Sequence, residues 1–100
     1  MVKEIIWSPE SERTFFKVIE YLRLKWTERE VANFIEATEN IIKYISVNPL
    51  MFRKTNIKNI HEALVTPHNL LIYKIYSDKI FLITFYDTRQ SPKKKILKLK

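Results

Sequence analysis

Residues 60–86 read IHEALVTPHNLLIYKIYSDKIFLITFY, and this stretch decides the fold. Three runs, Ile60 to Val65, Leu70 to Tyr76 and Ile80 to Tyr86, are crowded with β-branched and aromatic residues, which suit a pleated, half-buried surface. Thr66-Pro67-His68-Asn69 and Ser77-Asp78 separate them as turns, so the simplest connection is an antiparallel meander. If Ser77-Asp78 is a two-residue turn, Tyr76 pairs with Lys79. Strict alternation then puts Leu70, Ile72, Phe81, Ile83 and Phe85 on one face and Leu71, Tyr73, Ile75, Ile80, Leu82, Thr84 and Tyr86 on the other. Both faces are substantially apolar, unlike a sheet with one wet side. One face takes helices; the other calls for a partner, a second copy or the chain's own terminal tail.

Upstream the period changes from two to 3.6. Lys3 to Trp7 reads as a short opening strand. Ser8-Pro9-Glu10 follows it as a helix start, with serine as the cap and proline at the first helical position. Phe15, Ile19, Leu22 and Trp26 recur on one stripe of that helix. Thr27-Glu28-Arg29-Glu30 fits a capping box, and a second stripe runs through Val31, Phe34, Ile35, Thr38, Ile41, Ile42 and Ile45. Asn48-Pro49 stops it, because proline disfavours the helical conformation at the residue before it. Met51 to Asn59 is a polar, basic link, and Ser91-Pro92-Lys93-Lys94-Lys95 breaks the last strand before a tail from Ile96 to Lys100. The expected architecture is α+β over residues 1–100 as a single domain: a short N-terminal strand, an antiparallel helical hairpin, then an antiparallel β-meander.

Composition limits the function. With 46% apolar residues and 13% aromatics the chain is too hydrophobic to be disordered, yet it holds no apolar run near the ~20 residues of a membrane span. Met1 to Trp7 lacks the features of a signal peptide, so a cytoplasmic protein with no membrane contact is expected. The absence of cysteine removes disulfides, thiol nucleophiles and thiolate metal sites, and two histidines argue against a structural metal; no cofactor is expected. The net charge is +7. Residues 1–50 hold seven Lys/Arg against eight Glu, whereas residues 51–100 hold eleven Lys/Arg against two Asp and one Glu. Such segregation attracts polyanions or acidic partners over about 8 to 10 Å, though a merely solvated face would carry the same charge.

Ile6-Trp7-Ser8-Pro9-Glu10, the Asn48-Pro49 stop before Arg53-Lys54, the strand Leu71-Ile72-Tyr73-Lys74-Ile75 and the closing Phe85-Tyr86-Asp87-Thr88-Arg89-Gln90 come in an order and spacing that resemble the RelE/ParE toxin superfamily. The resemblance spans nearly the whole chain. It implies a bacterial toxin of the plasmid-stabilisation kind, encoded beside an antitoxin whose tail wraps and neutralises it. It implies two alternative targets. ParE-like members poison DNA gyrase without nuclease chemistry, and RelE-like members cleave messenger RNA on the ribosome. A third reading is a non-toxic component of an antitoxin and operator-DNA complex.

RNA cleavage through its own 2′-hydroxyl needs a base, a cation for the developing phosphorane and a proton donor. The resemblance puts the family's strand arginine at Leu70, its strand lysines at Ala63 and His61, and its C-terminal tyrosine near Lys95; Arg89 alone matches a catalytic arginine. The expectation is therefore a gyrase poison, with a rearranged nuclease built on Arg89, His61, Tyr86 and the lysines of residues 53–58 as the alternative. Arg53, Lys54, Lys58, Lys74, Lys93, Lys94 and Lys95 are candidates for contact with a polyanion or protein partner. Trp7 and Trp26 read as core or helix-packing residues.

Overall fold

The structure, a computed structural model, describes residues 2–88. The order is β1 (Glu4–Trp7), α1 (Pro9–Lys25), α2 (Glu28–Val47), a 3₁₀ turn at Pro49–Met51, β2 (Arg53–Lys54), β3 (Ile60–Thr66), β4 (Asn69–Ile75) and β5 (Lys79–Asp87). One five-stranded sheet has the order β1-β5-β4-β3-β2. The meander is antiparallel as expected, while β1 adds to it in parallel alongside β5, making the sheet mixed. The segment read as a plain basic link, Met51 to Asn59, begins on the last residue of the 3₁₀ turn and contains the two-residue β2, which pairs antiparallel with β3. No helix among the described residues is long and apolar enough to cross a membrane.

Both helices start where the caps are. Ser8 Oγ accepts the Ser11 N–H at 2.9 Å, Pro9 opens α1, and Glu10 and Glu12 sit in its first turn with Arg23 and Lys25 in its last, each charge complementing the helix dipole. For α2 only the hydroxyl half of the capping box forms, Thr27 Oγ1 accepting from Glu30 N–H at 3.4 Å. Helix α1 lies over β5 and α2 over β3, so the hairpin covers one face of the sheet. Phe34, Ile45, Leu71, Tyr73, Ile80 and Leu82 are fully buried between them.

Strict alternation fails at one place in β5. Tyr73 pairs with Leu82 but Ile72 pairs with Thr84, so Ile83 is an extra residue, a β-bulge. Downstream of it the faces swap relative to the sequence expectation. Phe85 turns under the helices with Leu71, and Tyr86 joins Leu70 and Ile72 on the opposite face. Phe85 thereby enters an aromatic cluster with Trp7 (ring centroids 5.8 Å), Phe15 (5.4 Å) and Phe34 (6.1 Å).

The bulge sits where β1 runs out. Trp7 is the last residue of β1 to pair with β5, opposite Leu82, and Ser8 N–H still bonds the Leu82 carbonyl at 3.2 Å. Beyond it α1 takes over as the neighbour of β5. Ser8 Oγ donates to the Ile83 carbonyl at 2.9 Å, and Thr14 Oγ1 accepts the Phe85 N–H at 2.9 Å while donating to the Glu10 carbonyl at 2.8 Å. Buried backbone groups freed from a ladder must find partners, and two helix hydroxyls supply them.

One further expectation is corrected. Trp26 is 62% exposed rather than packed in the stripe, because it is the capping residue after α1 ends at Lys25 and no longer follows the helical phase. On the second sheet face Ile60, Leu70, Ile72 and Tyr86 form a buried cluster, while Leu64 beside Leu70 is exposed.

Thr14→Val keeps the shape of the side chain but leaves the Phe85 N–H unpaired in the core, and should cost about 1 to 3 kcal/mol. Phe16→Ala, one helical position from Phe15 but 58% exposed, should cost well under half of that. Urea denaturation of both variants checks this; equal losses would show that the bulge does not depend on Thr14.

Candidate functional site

Cross-strand pairing sorts the candidate residues onto two faces. His61 pairs with Tyr73 and Ala63 with Leu71, so both lie under the helices; Leu70 pairs with Leu64 and with Tyr86 on the opposite face. His61 is 4% exposed, its ring stacked on Tyr73 at 5.9 Å, and neither ring nitrogen has a hydrogen-bond partner among the described residues. Burial and the neighbouring Lys54 ammonium, opposite it in the ladder, push its pKa below the ordinary histidine value. The Tyr73 hydroxyl donates to the Pro49 carbonyl at 2.7 Å, tying the end of α2 to the sheet, and burial raises its pKa well above the ordinary phenol range.

On the opposite face Tyr86 is buried beside Leu70, and burial together with the nearby Asp87 carboxylate raises its pKa, which keeps the phenol protonated at neutral pH. Glu62, 4% exposed, faces the same side and is held by the Arg53 guanidinium, whose Nε donates to Glu62 Oε1 at 2.8 Å and whose Nη2 contacts the same oxygen. His61 and Tyr86 are thus on opposite faces and do not share a site.

Lys54 and Lys58 are exposed at the β2 end, and Lys74 is half-buried on the second face with its Nζ 5.2 Å from the centre of the Tyr76 ring. Arg89, Lys93, Lys94 and Lys95 lie outside the described residues. Residues 51–88 hold five Lys/Arg against three Asp/Glu, and the other six cations belong to residues 89–100.

A groove of about 660 Å³ opens between the C-terminal half of α1, the N-terminal half of α2 and the β3–β4 turn. Val18, Leu22, Phe34, Val65 and Phe85 form an apolar floor, and Tyr21, Trp26, Glu30, Asn33, His68 and Asp87 form the rim. Sequence reading missed this feature. Trp26 falls at a helical position that continues the core stripe, Tyr21 lies off that stripe and His68 lies in a turn; their convergence is a matter of how the hairpin sits on the sheet. An apolar floor under a polar and aromatic rim suits a side-chain-bearing partner better than a charged small molecule.

No family model matches the sequence, and no curated protein does. Solved structures are similar in architecture. One is the chromosomal ParDE toxin–antitoxin system from P. aeruginosa, at TM-score 0.72 and 6% identity over 86% of this chain and 96% of that one. Another is the E. coli DinJ-YafQ toxin-antitoxin complex, at 0.60 and 16% over 87% and 93%. A third is the YoeB dimer from Staphylococcus aureus, at 0.60 and 13% over 90% and 100%.

Because His61 is neutral and buried in the folded protein with a lowered pKa, the unfolded chain binds the proton more readily. Stability is then fully present above about pH 6.5 and falls as pH drops from there towards the folded-state pKa. His61→Phe keeps the stacking on Tyr73 and should remove that acid-side loss while raising neutral-pH stability by about 1 kcal/mol. Thermal melts between pH 4.5 and 8 decide it, and a variant that loses stability with acid as steeply as the parent would refute the role of His61. The element order, the sheet topology and a superposition over 86% of the chain together give this protein a RelE/ParE-like fold.

Proposed function

We propose that this chain is the toxin component of a bacterial type II toxin–antitoxin pair, a ParE-like inhibitor of DNA gyrase neutralised by a cognate antitoxin. The observation that carries the reading is the dispersal of the positions at which a RelE-like ribonuclease keeps its cations. Leu70 is apolar on one face, while Ala63 and His61 lie under the helices on the other. Phosphodiester cleavage needs base, cation and acid converging on one phosphate, and these side chains do not converge. A poison that acts by binding has no such requirement. The groove between α1, α2 and the β3–β4 turn, apolar below and aromatic at the rim, is the surface we assign to the antitoxin.

One observation favours a second reading, a ribosome-dependent messenger RNA endonuclease. Glu62, Arg53 and Tyr86 share the second face and supply a carboxylate, a guanidinium and a protonated phenol. The two readings part on expression. Forced synthesis of a gyrase poison induces DNA damage and leaves transcripts intact, and the purified protein traps gyrase–DNA cleavage complexes. Codon-specific transcript cleavage in the ribosomal A site, lost in Glu62→Gln or Tyr86→Phe, would overturn the gyrase reading in favour of the nuclease. Separately, Trp26→Ala should weaken the antitoxin complex by about tenfold or more, the usual loss when an aromatic anchor is truncated, as isothermal titration would record.

A further inference from the structure

The second sheet face changes character along its length. Around Ile72 it is a buried apolar cluster; at the β4–β5 turn it becomes basic, aromatic and open. The register explains the composition there. Ile6, Phe81 and Lys74 lie in one cross-strand row and Glu4, Lys79 and Tyr76 in the next, the Tyr76 N–H bonding the Lys79 carbonyl at 2.9 Å. Glu4, Ile6, Tyr76, Lys79 and Phe81 bound a recess of about 430 Å³. Tyr76 is 38% exposed, with the Lys74 ammonium 5.2 Å and the Lys79 ammonium 5.5 Å from the centre of its ring. Lys3 Nζ donates to the Tyr76 carbonyl at 2.7 Å, bringing a third cation to the same strand end.

These lysines are unlike the paired arginines elsewhere. The ion pairs among the described residues use Arg13, Arg23 and Arg53, and none of Lys3, Lys74 or Lys79 lies within 4 Å of a carboxylate there. Like charges gathered round one ring repel each other, and an anion arriving between them relieves that repulsion. An acidic peptide would do so too, but it brings nothing planar for Tyr76 and Phe81. Glu4 at the rim further disfavours a ligand that is anionic throughout, while offering an acceptor to the exocyclic N–H groups of a base.

We propose that this corner docks single-stranded nucleic acid. A base packs into the recess against Tyr76 and Phe81, and the flanking phosphates draw the ammonium groups of Lys74, Lys79 and Lys3 off the ring face. Every base has a π-face and every phosphate takes a point charge, so the site is tolerant of sequence. The inference stands on this surface alone and does not depend on which cellular target the protein poisons.

Fluorescence anisotropy of the full chain with labelled dodecathymidylate and dodecauridylate tests it, with heparin as a polyanion that cannot stack. Tyr76→Leu should lower oligonucleotide affinity about tenfold and leave heparin affinity unchanged, with Tyr76→Phe retaining the parent value. Lys74→Ala and Lys79→Ala should each reduce the salt slope of oligonucleotide binding by about 0.7. Oligonucleotide affinity indifferent to Tyr76→Leu overturns the proposal. So does an equal fall for heparin, which would mean that charge alone attracts polyanions here. Circular dichroism of each variant confirms the fold, and a Tyr76→Leu chain that fails to fold leaves the two lysine variants to decide: unchanged salt slopes overturn the site.

Discussion

Two hydroxyl groups on the first turns of α1 hold the last strand in an irregular course, and much of the molecule follows from that. Strand β1 is four residues long and stops opposite Leu82, so that among the described residues the rest of β5 has no strand neighbour on that side. Backbone groups there are buried and cannot be left unpaired without a cost of about 1 to 3 kcal/mol each. Ser8, already committed as the helix cap, donates to the Ile83 carbonyl, and Thr14 one turn later takes the Phe85 N–H. The extra residue in β5 is what brings Phe85 within reach of Thr14. It also delivers the Phe85 ring to Trp7, Phe15 and Phe34, where packing of three aromatic neighbours adds to its burial. Cap, bulge and aromatic core form one mutually dependent unit.

The same bulge sets the chemistry of the opposite face. By turning Tyr86 away from the helices it separates that phenol from His61, which the ladder keeps beneath them against Tyr73. A one-residue insertion therefore decides which titratable groups can meet, and it brings Tyr86 to the face of Glu62 and Arg53 instead. Along this face burial declines and charge rises towards the β4–β5 turn, where Tyr76 and its lysines stand. The other exposed feature, the groove beside the β3–β4 turn, lies at the opposite end of the strands. Two surfaces of different chemistry are thus presented at the two ends of a rigid sheet, one apolar with an aromatic rim and one cationic.

The basic character of the chain divides in a corresponding way. Six of its eighteen Lys/Arg and none of its eleven Asp/Glu fall in residues 89–100, so residues 1–88 are close to neutral and their cations matter by position rather than by number. Arg53 is spent on a buried carboxylate, whereas Lys74 and Lys79 are not paired with one among the described residues. An arginine fork satisfies a buried carboxylate through directed hydrogen bonds; a lysine ammonium is a mobile point charge suited to phosphate.

Local rules were enough to place the elements: Ser8-Pro9 and Thr27 as helix starts, Asn48-Pro49 as the stop, the two stripes as core faces, and three strands turning at Pro67-His68 and Ser77-Asp78. Each of these depends on contacts within a few residues, so a single chain carries enough information to place them. The β5 bulge, the parallel partner of β1 and the groove were not legible there, since each depends on what packs alongside. Alternation assigned Phe85 and Tyr86 to the wrong faces because nothing local marks Ile83 as the extra residue; only Thr14, seventy-one positions before the Phe85 N–H it accepts, does so. Trp26 continued a helical stripe on paper but fell past the end of the helix, where the phase is lost. His61 and Tyr86 could be nominated by residue type, yet whether they share a site was settled by sheet register, a long-range property that tertiary packing alone selects.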